Sequence, residues 1–256
     1  MEPAANLGML AQTDSPAEIG RGLRLVLTLV CVAAISGCGP RRAESPPPPP
    51  APAVTAEFAG SQIPPGATVY TIDPDRSIVT LRVYRAGRLA KLGHNHVITS
   101  ATEAGNAWTN GTLATSGFEV RIAVAELVVD DPAARASAGA DFPGELSDAA
   151  REGTRTNMLR AEVLDGTRYP EIVVRAGSLG GTWDQPTVAA SVTIKDQARS
   201  IDVPLVIVRT DDAIVARGAF RVLQSDFGIT PFSIGGGAIA VADAVEISFE
   251  VYAARR

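Results

Sequence analysis

The chain has 256 residues, of which 23 are Lys or Arg and 28 are Asp or Glu, so its formal net charge is −5 at pH 7. This charge argues against a nucleic-acid-binding protein, because phosphate neutralisation needs a basic surface, and only 5% of the residues are aromatic and available for base stacking. The 24 Gly and 18 Pro residues argue against a helix bundle. The two cysteines, Cys31 and Cys38, both precede residue 40, which excludes a disulfide framework or a cysteine metal site from the rest of the chain.

The N-terminal segment predicts secretion and lipid attachment. Arg21 and Arg24 precede an apolar run at 25–35, which is shorter than the ~20 residues that span a bilayer and is typical of a signal peptide. The run ends in Ile35-Ser36-Gly37-Cys38, which resembles the bacterial lipobox and implies that Cys38 is acylated as the mature N-terminus. The alternative is a plain secretory signal with an incidental cysteine. Because Gly39 rather than Asp follows the cysteine, the analogy with lipoprotein sorting favours the outer membrane.

The next segment is rich in proline, which occupies positions 46–50 and 52. Such a run adopts an extended polyproline II conformation of ~3.1 Å per residue and acts as a semi-rigid spacer. We therefore expect a signal peptide at 1–37, a stalk at 38–66 that holds a domain away from the membrane, and one folded domain at 67–254.

The folded domain shows a strict alternation of apolar and polar residues, which is typical of half-buried antiparallel strands. This pattern predicts strands at 69–72, 78–84, 97–102, 118–124, 171–176, 188–195, 201–208, 214–223 and 245–252. Residues 130–165 break the alternation, and Ser147 is placed to cap a helix there. About eight to ten strands with a helical insertion predict an all-β sandwich or barrel, and an eight-stranded barrel can hold one small ligand.

Several segments in this order resemble the YceI-like family of bacterial barrel proteins. They are Tyr70-Thr71-Ile72-Asp73-Pro74, Asn157-Met158-Leu159, Val163-Leu164-Asp165, Tyr169-Pro170-Glu171-Ile172, the hairpin at 192–206, and Ser225-Asp226-Phe227-Gly228-Ile229 before the closing strand at 245–251. The resemblance implies a lipocalin-like, up-and-down antiparallel barrel of about eight strands that binds a long isoprenoid chain without catalysis. It also implies a periplasmic or secreted location.

The alternation of apolar and polar residues predicts which face of the strands binds a ligand. If that face points inward, the lumen is lined by Val79, Leu81, Val83, Phe118, Val120, Ile122, Val245, Ile247 and Phe249. The only two histidines of the chain, His94 and His96, flank Asn95, and in an extended strand both would project on the same face. These three residues are the candidate contacts for a ligand head group, such as a quinone carbonyl or a phosphate.

Two other interpretations of the histidine pair stay open. The pair could anchor a loop through bonds to the backbone, or it could bind a transition metal, with Asp73, Asp226 or Asp243 as further ligands. We predict a non-enzymatic protein that binds, carries or sequesters a polyprenyl- or quinone-type lipid at the cell envelope, with no metal or cofactor other than that lipid, and we keep a homodimer as a candidate assembly. The alternatives are a metal- or cofactor-binding redox protein that uses His94 and His96, and a structural lipoprotein whose barrel is filled by side chains.

Overall fold

The computed structural model describes residues 63–255. The predicted signal peptide at 1–37, the lipidation site Cys38 and the stalk up to residue 62 lie outside the described residues. Within 63–255, no helix is long and apolar enough to cross a membrane.

Within this described part of the chain, thirteen strands form one continuous antiparallel sheet. The first six are β1 (Thr68–Ile72), β2 (Ile78–Ala86), β3 (His96–Ser100), β4 (Ala104–Thr109), β5 (Gly117–Ala123) and β6 (Val128–Val129). The other seven are β7 (Glu171–Ala176), β8 (Gly180–Gly181), β9 (Pro186–Ile194), β10 (Gln197–Arg209), β11 (Ala213–Leu223), β12 (Ser233–Ile234) and β13 (Ile239–Arg255).

Eight of these strands close into a barrel. Their order around the ring is β1-β4-β5-β7-β9-β10-β11-β13, which is also their order in the chain, and β1 pairs with β13 to close it. The ring is completed within residues 63–255. The predicted up-and-down antiparallel barrel is confirmed. Whereas β13 pairs with β1 at Ala253–Arg255, its longer stretch from Ala240 to Glu250 pairs with β2. From β2, the strands β3 and β6 extend the sheet.

The apolar residues of the alternating pattern face the interior of the barrel, and the polar residues face outward. On β5, the side chains of Val120 and Ile122 pack in the interior cluster, whereas Glu119 and Arg121 form an ion pair on the outer face. Arg175 of the neighbouring β7 donates to Glu119 at 2.6 Å. These cross-strand pairs hold the outer face of the sheet, while the apolar partners fill the interior.

Two helices interrupt the sheet between β6 and β7. They are α1 (Pro132–Ser137) and α2 (Asp148–Met158). Ser147 caps α2 as predicted, since its side chain accepts a hydrogen bond from the Ala150 N–H at 3.3 Å. Met158 at the end of α2 packs in one apolar cluster with Ile98 and Val129, so α2 is fixed against the β3–β6 side of the barrel.

The strand β4 is absent from the sequence-based assignment, and β13 is longer than the predicted 245–252. The N-terminal part of β4 carries Ala104, Gly105, Asn106 and Ala107, which lack the β-branched and aromatic residues typical of strands. Gly105 has a φ of +140°, and a Cβ there would lie 2.0 Å from the Glu119 carbonyl oxygen. The close approach of β4 to β5 therefore requires glycine, a residue that weakens a sequence-based strand assignment.

Candidate functional site

The interior of the barrel contains a cavity of about 370 Å³. Its wall is almost entirely aliphatic and aromatic, because the inward-facing side chains of β2, β5, β7, β9, β10, β11 and β13 meet there. The structure places all nine predicted lumen residues on this wall: Val79, Leu81, Val83, Phe118, Val120, Ile122, Val245, Ile247 and Phe249. Their role in ligand binding stays a prediction. The cavity also argues against a barrel that is filled by its own side chains.

A few polar side chains interrupt this wall, and most of them are already bonded within the protein. Gln224 donates to the Ala242 carbonyl at 2.8 Å, Thr154 donates to the Ala150 carbonyl at 3.0 Å, and Ser116 donates to Thr109 at 2.7 Å. Asn157 on α2 lines the cavity, and its side chain has no hydrogen-bond partner among residues 63–255. Asn157 is therefore available to a ligand.

His96, the first residue of β3, also lines the cavity and is held by a buried ion pair beneath it. Its Nδ1 lies 2.6 Å from Oδ2 of Asp130, whose side chain is fully buried. The other carboxylate oxygen, Oδ1, accepts the Val97 N–H at 2.9 Å and Nη1 of Arg135 at 2.6 Å. Arg135 is itself 2% exposed and donates to the carbonyls of Asn95, Pro143 and Gly144.

The charge of Asp130 determines that Nδ1 of His96 carries a proton. Burial raises the pKa of the Asp130 carboxyl, but the hydrogen bonds from His96, from the Val97 N–H and from Arg135 outweigh burial, so this pKa lies below its ordinary value. An ionised carboxylate only accepts hydrogen bonds, and Nδ1 of His96 must therefore carry the proton. Nε2 is then the ring nitrogen that is left for a ligand in the cavity.

The other two head-group candidates lie elsewhere. His94 is exposed in the loop before β3 and is absent from the cavity wall, so His94 and His96 do not form the pair on one face that an extended strand would give. Asn95 is used structurally: its Oδ1 accepts the Arg85 N–H at 3.0 Å, and its Nδ2 donates to the Asp141 carbonyl at 2.8 Å. For Asn95, the geometry is that of a loop anchor.

The metal-binding alternative gains no support from the arrangement. Among residues 63–255, no group of three His, Cys, Asp or Glu side chains is placed to hold a metal ion. Of the suggested additional ligands, Asp243 accepts from Ser225, and Asp73 caps the turn after β1 by accepting the Asp75 N–H.

Sequence reasoning did not identify Asn157, Asp130 and Arg135 as site residues. Asn157 was noticed only within the family-like segment Asn157-Met158-Leu159. Asp130 and Arg135 lie 34 and 39 residues from His96 in sequence. Arg135 belongs to helix α1, in the segment without strand periodicity, so no pattern links it to the strand of His96. Asp130 has a φ of +53°, a left-handed conformation that a sequence does not reveal for an aspartate.

Comparison with known proteins places the folded domain in a family. The sequence model of the YceI-like domain family matches residues 70–253 of this chain. A search among curated proteins finds no match to the sequence. Among solved structures, BcnA from Burkholderia cenocepacia is similar at 16% identity with a TM-score of 0.50, over 71% of this chain and 98% of that chain.

Two further structures show weaker similarity. A polyisoprenoid binding domain from Saccharophagus degradans, implicated in plant cell wall breakdown, has 11% identity and a TM-score of 0.49, over 74% of this chain and 99% of that chain. A YCEI protein from Campylobacter jejuni has 12% identity and a TM-score of 0.43, over 60% of this chain and 81% of that chain. The family model covers most of the folded domain in one continuous match, and the chain therefore belongs to the YceI-like domain family.

Proposed function

We propose that this domain is a non-enzymatic carrier that holds one isoprenoid-type lipid, a polyprenyl or quinone species, inside the barrel. The observation that carries the proposal is the cavity of about 370 Å³ with an almost wholly apolar wall. This volume falls within the ~300–1,000 Å³ of small-molecule pockets, which are mostly apolar with a few placed polar groups. Burial of a hydrocarbon chain there contributes about 0.8 kcal/mol for each CH₂ group.

The polar end of the ligand is assigned to His96 and Asn157. Both line the cavity, and the elements that carry them are packed together, since Met158 of α2 and Ile98 of β3 share one apolar cluster. With its proton held on Nδ1 by Asp130, a neutral His96 presents Nε2 as an acceptor, which suits a hydroxyl group. A protonated ring presents a donor instead, which suits a quinone carbonyl or a phosphate.

The location forms a second part of the proposal. We propose that Cys38 is acylated and that the proline-rich stalk tethers the barrel on the periplasmic side of the cell envelope, at the outer membrane. Support comes from the lipobox-like segment directly after the apolar run. Metabolic labelling with a radioactive or clickable fatty acid tests it: Cys38→Ser should lose the label, whereas the control Cys31→Ser should keep it. Equal labelling of both variants would refute acylation at Cys38.

The ligand is tested by native mass spectrometry and organic extraction of the domain from residue 61 onward, purified from its own envelope. We expect one polyprenyl or quinone molecule per chain. Ile247→Asp, which places a charge on the cavity wall, should abolish retention because a carboxylate in an apolar site is strongly unfavourable. If a folded Ile247→Asp protein retains the lipid fully, the lipid does not bind in this cavity.

The head-group assignment has a matched pair of variants. His96→Asn keeps a donor for Asp130 but removes the nitrogen that faces the ligand, and Asn157→Ala removes the unpaired amide. Each should weaken binding of the extracted lipid by about fivefold, which corresponds to one lost hydrogen bond of about 1 kcal/mol. His94→Ala is the control and should bind like the wild type, because His94 is exposed. If His94→Ala weakens binding and the other two do not, the head group lies at the loop.

A further inference from the structure

We propose that one end of the barrel, which we call the basic rim, docks on the surface of a membrane that contains anionic lipids. The basic rim consists of the loop at 88–94 between β2 and β3 and the segment 230–238 around β12. Docking itself does not depend on the ligand, whereas passage of a lipid through this end rests on the proposed function.

The basic rim exposes large apolar side chains on both of its segments. Leu89 and Leu92 are 49% and 70% exposed on the first segment, and Ile234 is 51% exposed on the second. Exposure of several large apolar side chains to water is unfavourable, and such patches on soluble proteins mark contacts with other proteins or with membranes. The charges around these residues distinguish between the two.

The charge of the rim is opposite in sign to that of the whole chain. Residues 77–102 contain four Arg or Lys residues and no Asp or Glu, and residues 228–242 carry no charge, although the chain as a whole is at −5. Arg88 directly precedes Leu89 and Lys91 directly precedes Leu92; both cations are exposed, and neither forms an ion pair among residues 63–255. Apolar side chains flanked by unpaired cations match the interface of an anionic bilayer, where each cation adds to the attraction.

The two segments of the basic rim are fixed to each other. The Leu89 N–H donates to the Ala238 carbonyl at 2.8 Å, and a Cβ at Gly87 would lie 2.5 Å from that same oxygen, so only glycine permits this contact. Gly235, Gly236 and Gly237 all have φ between +60° and +83°, which makes the turn between β12 and β13 tight. The apolar side chains are therefore presented on a defined framework rather than on a long free loop.

The basic rim adjoins the lipid cavity. Phe232 and Val241 line the cavity and are joined by a hydrogen bond of 2.9 Å from the Val241 N–H to the Phe232 carbonyl. In the same hairpin, Ile234 lies two residues after Phe232, and its pairing partner Ile239 lies two residues before Val241. A membrane bound at this end would lie next to the cavity wall.

Vesicle co-sedimentation of the chain from Gly39 onward, which lacks the lipid anchor, tests the proposal. The vesicles are phosphatidylcholine alone or mixed with phosphatidylglycerol. We expect binding to the mixed vesicles that decreases as salt is added. Arg88→Gln with Lys91→Gln should weaken it about thirtyfold, which corresponds to about 2 kcal/mol for two cations at the surface. Leu89→Ser with Leu92→Ser should weaken it at least tenfold.

A matched control comes from the outer face of β10. Val206 and Val208 are 61% and 50% exposed but lie outside the basic rim, so Val206→Ser with Val208→Ser should bind vesicles like the wild type. Equal loss in the rim and control variants, or no binding of the wild type to mixed vesicles, would overturn the proposal. A wild-type dimer that Leu89→Ser with Leu92→Ser converts to a monomer, without vesicle binding, would instead identify the rim as a contact between two copies of the chain.

Discussion

Replacement of Asp130 by Asn removes the negative charge at the centre of the His96 site and exchanges the oxygen that accepts from Nδ1 of His96 for an amide NH2 group, which only donates. The amide keeps an acceptor oxygen for the Val97 N–H, and Asn tolerates the left-handed φ of +53° better than other residues except glycine. The variant therefore isolates the charge from backbone strain. Arg135, which is 2% exposed, loses its counter-charge and is left as a buried, unpaired cation.

The expected magnitude follows from this burial. Removal of one partner of a buried ion pair costs about 3–5 kcal/mol, because the other charge stays desolvated without compensation. The carbonyls of Asn95, Pro143 and Gly144 still accept from Arg135 and keep the loss toward the lower end of that range. For a domain of this size, about 1 kcal/mol corresponds to a shift of ~2–4 °C, so a loss of about 3–4 kcal/mol should lower the melting temperature by about 6–16 °C.

Thermal and urea denaturation at neutral pH measure this effect, with the free energy of unfolding taken from the urea midpoint and slope. Glu250→Gln is the control: Glu250 forms an ion pair with Arg217 on the outer face, where both side chains are about half exposed, and its removal should leave the midpoint unchanged. A loss below about 1 kcal/mol for Asp130→Asn would refute the reasoning, because a group so weakly coupled could not hold the His96 ring.

Three further predictions concern the same domain. The pKa of Asp130 in the folded protein lies below its value of about 4 in the unfolded chain. The ionised carboxylate therefore stabilises the fold above pH ~4, and this contribution is lost as the pH falls through the folded-state pKa. The free energy of unfolding, measured by urea denaturation at decreasing pH, should show this loss in the wild type and less of it in Asp130→Asn. Glu103 is fully buried, and neither of its carboxylate oxygens has a hydrogen-bond partner among residues 63–255. Glu103→Met should therefore raise the free energy of unfolding by about 1–3 kcal/mol, and a decrease would contradict the absence of a partner within this range. Gly105→Ala should lower it by about 2–4 kcal/mol, because the added Cβ would meet the Glu119 carbonyl; an unchanged urea midpoint would contradict the close approach of β4 and β5.

The barrel wall was predictable because its physics is local. On strands such as β5 and β13, every second residue is apolar, and this period of two is the only one that gives a strand one buried and one solvated face. The nine residues on the inner face follow directly from that period. Ser147 as a helix cap was equally local, because its side chain satisfies a backbone N–H three residues further along the chain.

The site within the barrel was decided by contacts between distant segments. Alternation marked His94 and His96 as equivalent, but β3 begins only at His96, and the pairing of β2 with β3 sets that boundary. Asp130 and Arg135 reach His96 because β6 pairs with β3 and α1 follows it, and nothing in the residues near His96 encodes that approach. Likewise, the basic rim exists because the Leu89 N–H meets the Ala238 carbonyl, which lies 149 residues further along the chain.

The sequence by itself therefore determined the secondary structure that depends on periodicity and capping, the apolar inner face and the family, whereas lipid attachment at Cys38 stays a prediction. Only the tertiary structure decided that the inner face encloses an unfilled cavity, which of the two histidines lines it, and which charges are buried together. The physical reason is that hydrophobic periodicity is written along one strand, whereas cavity volume, burial and charge pairing depend on which strands close the ring.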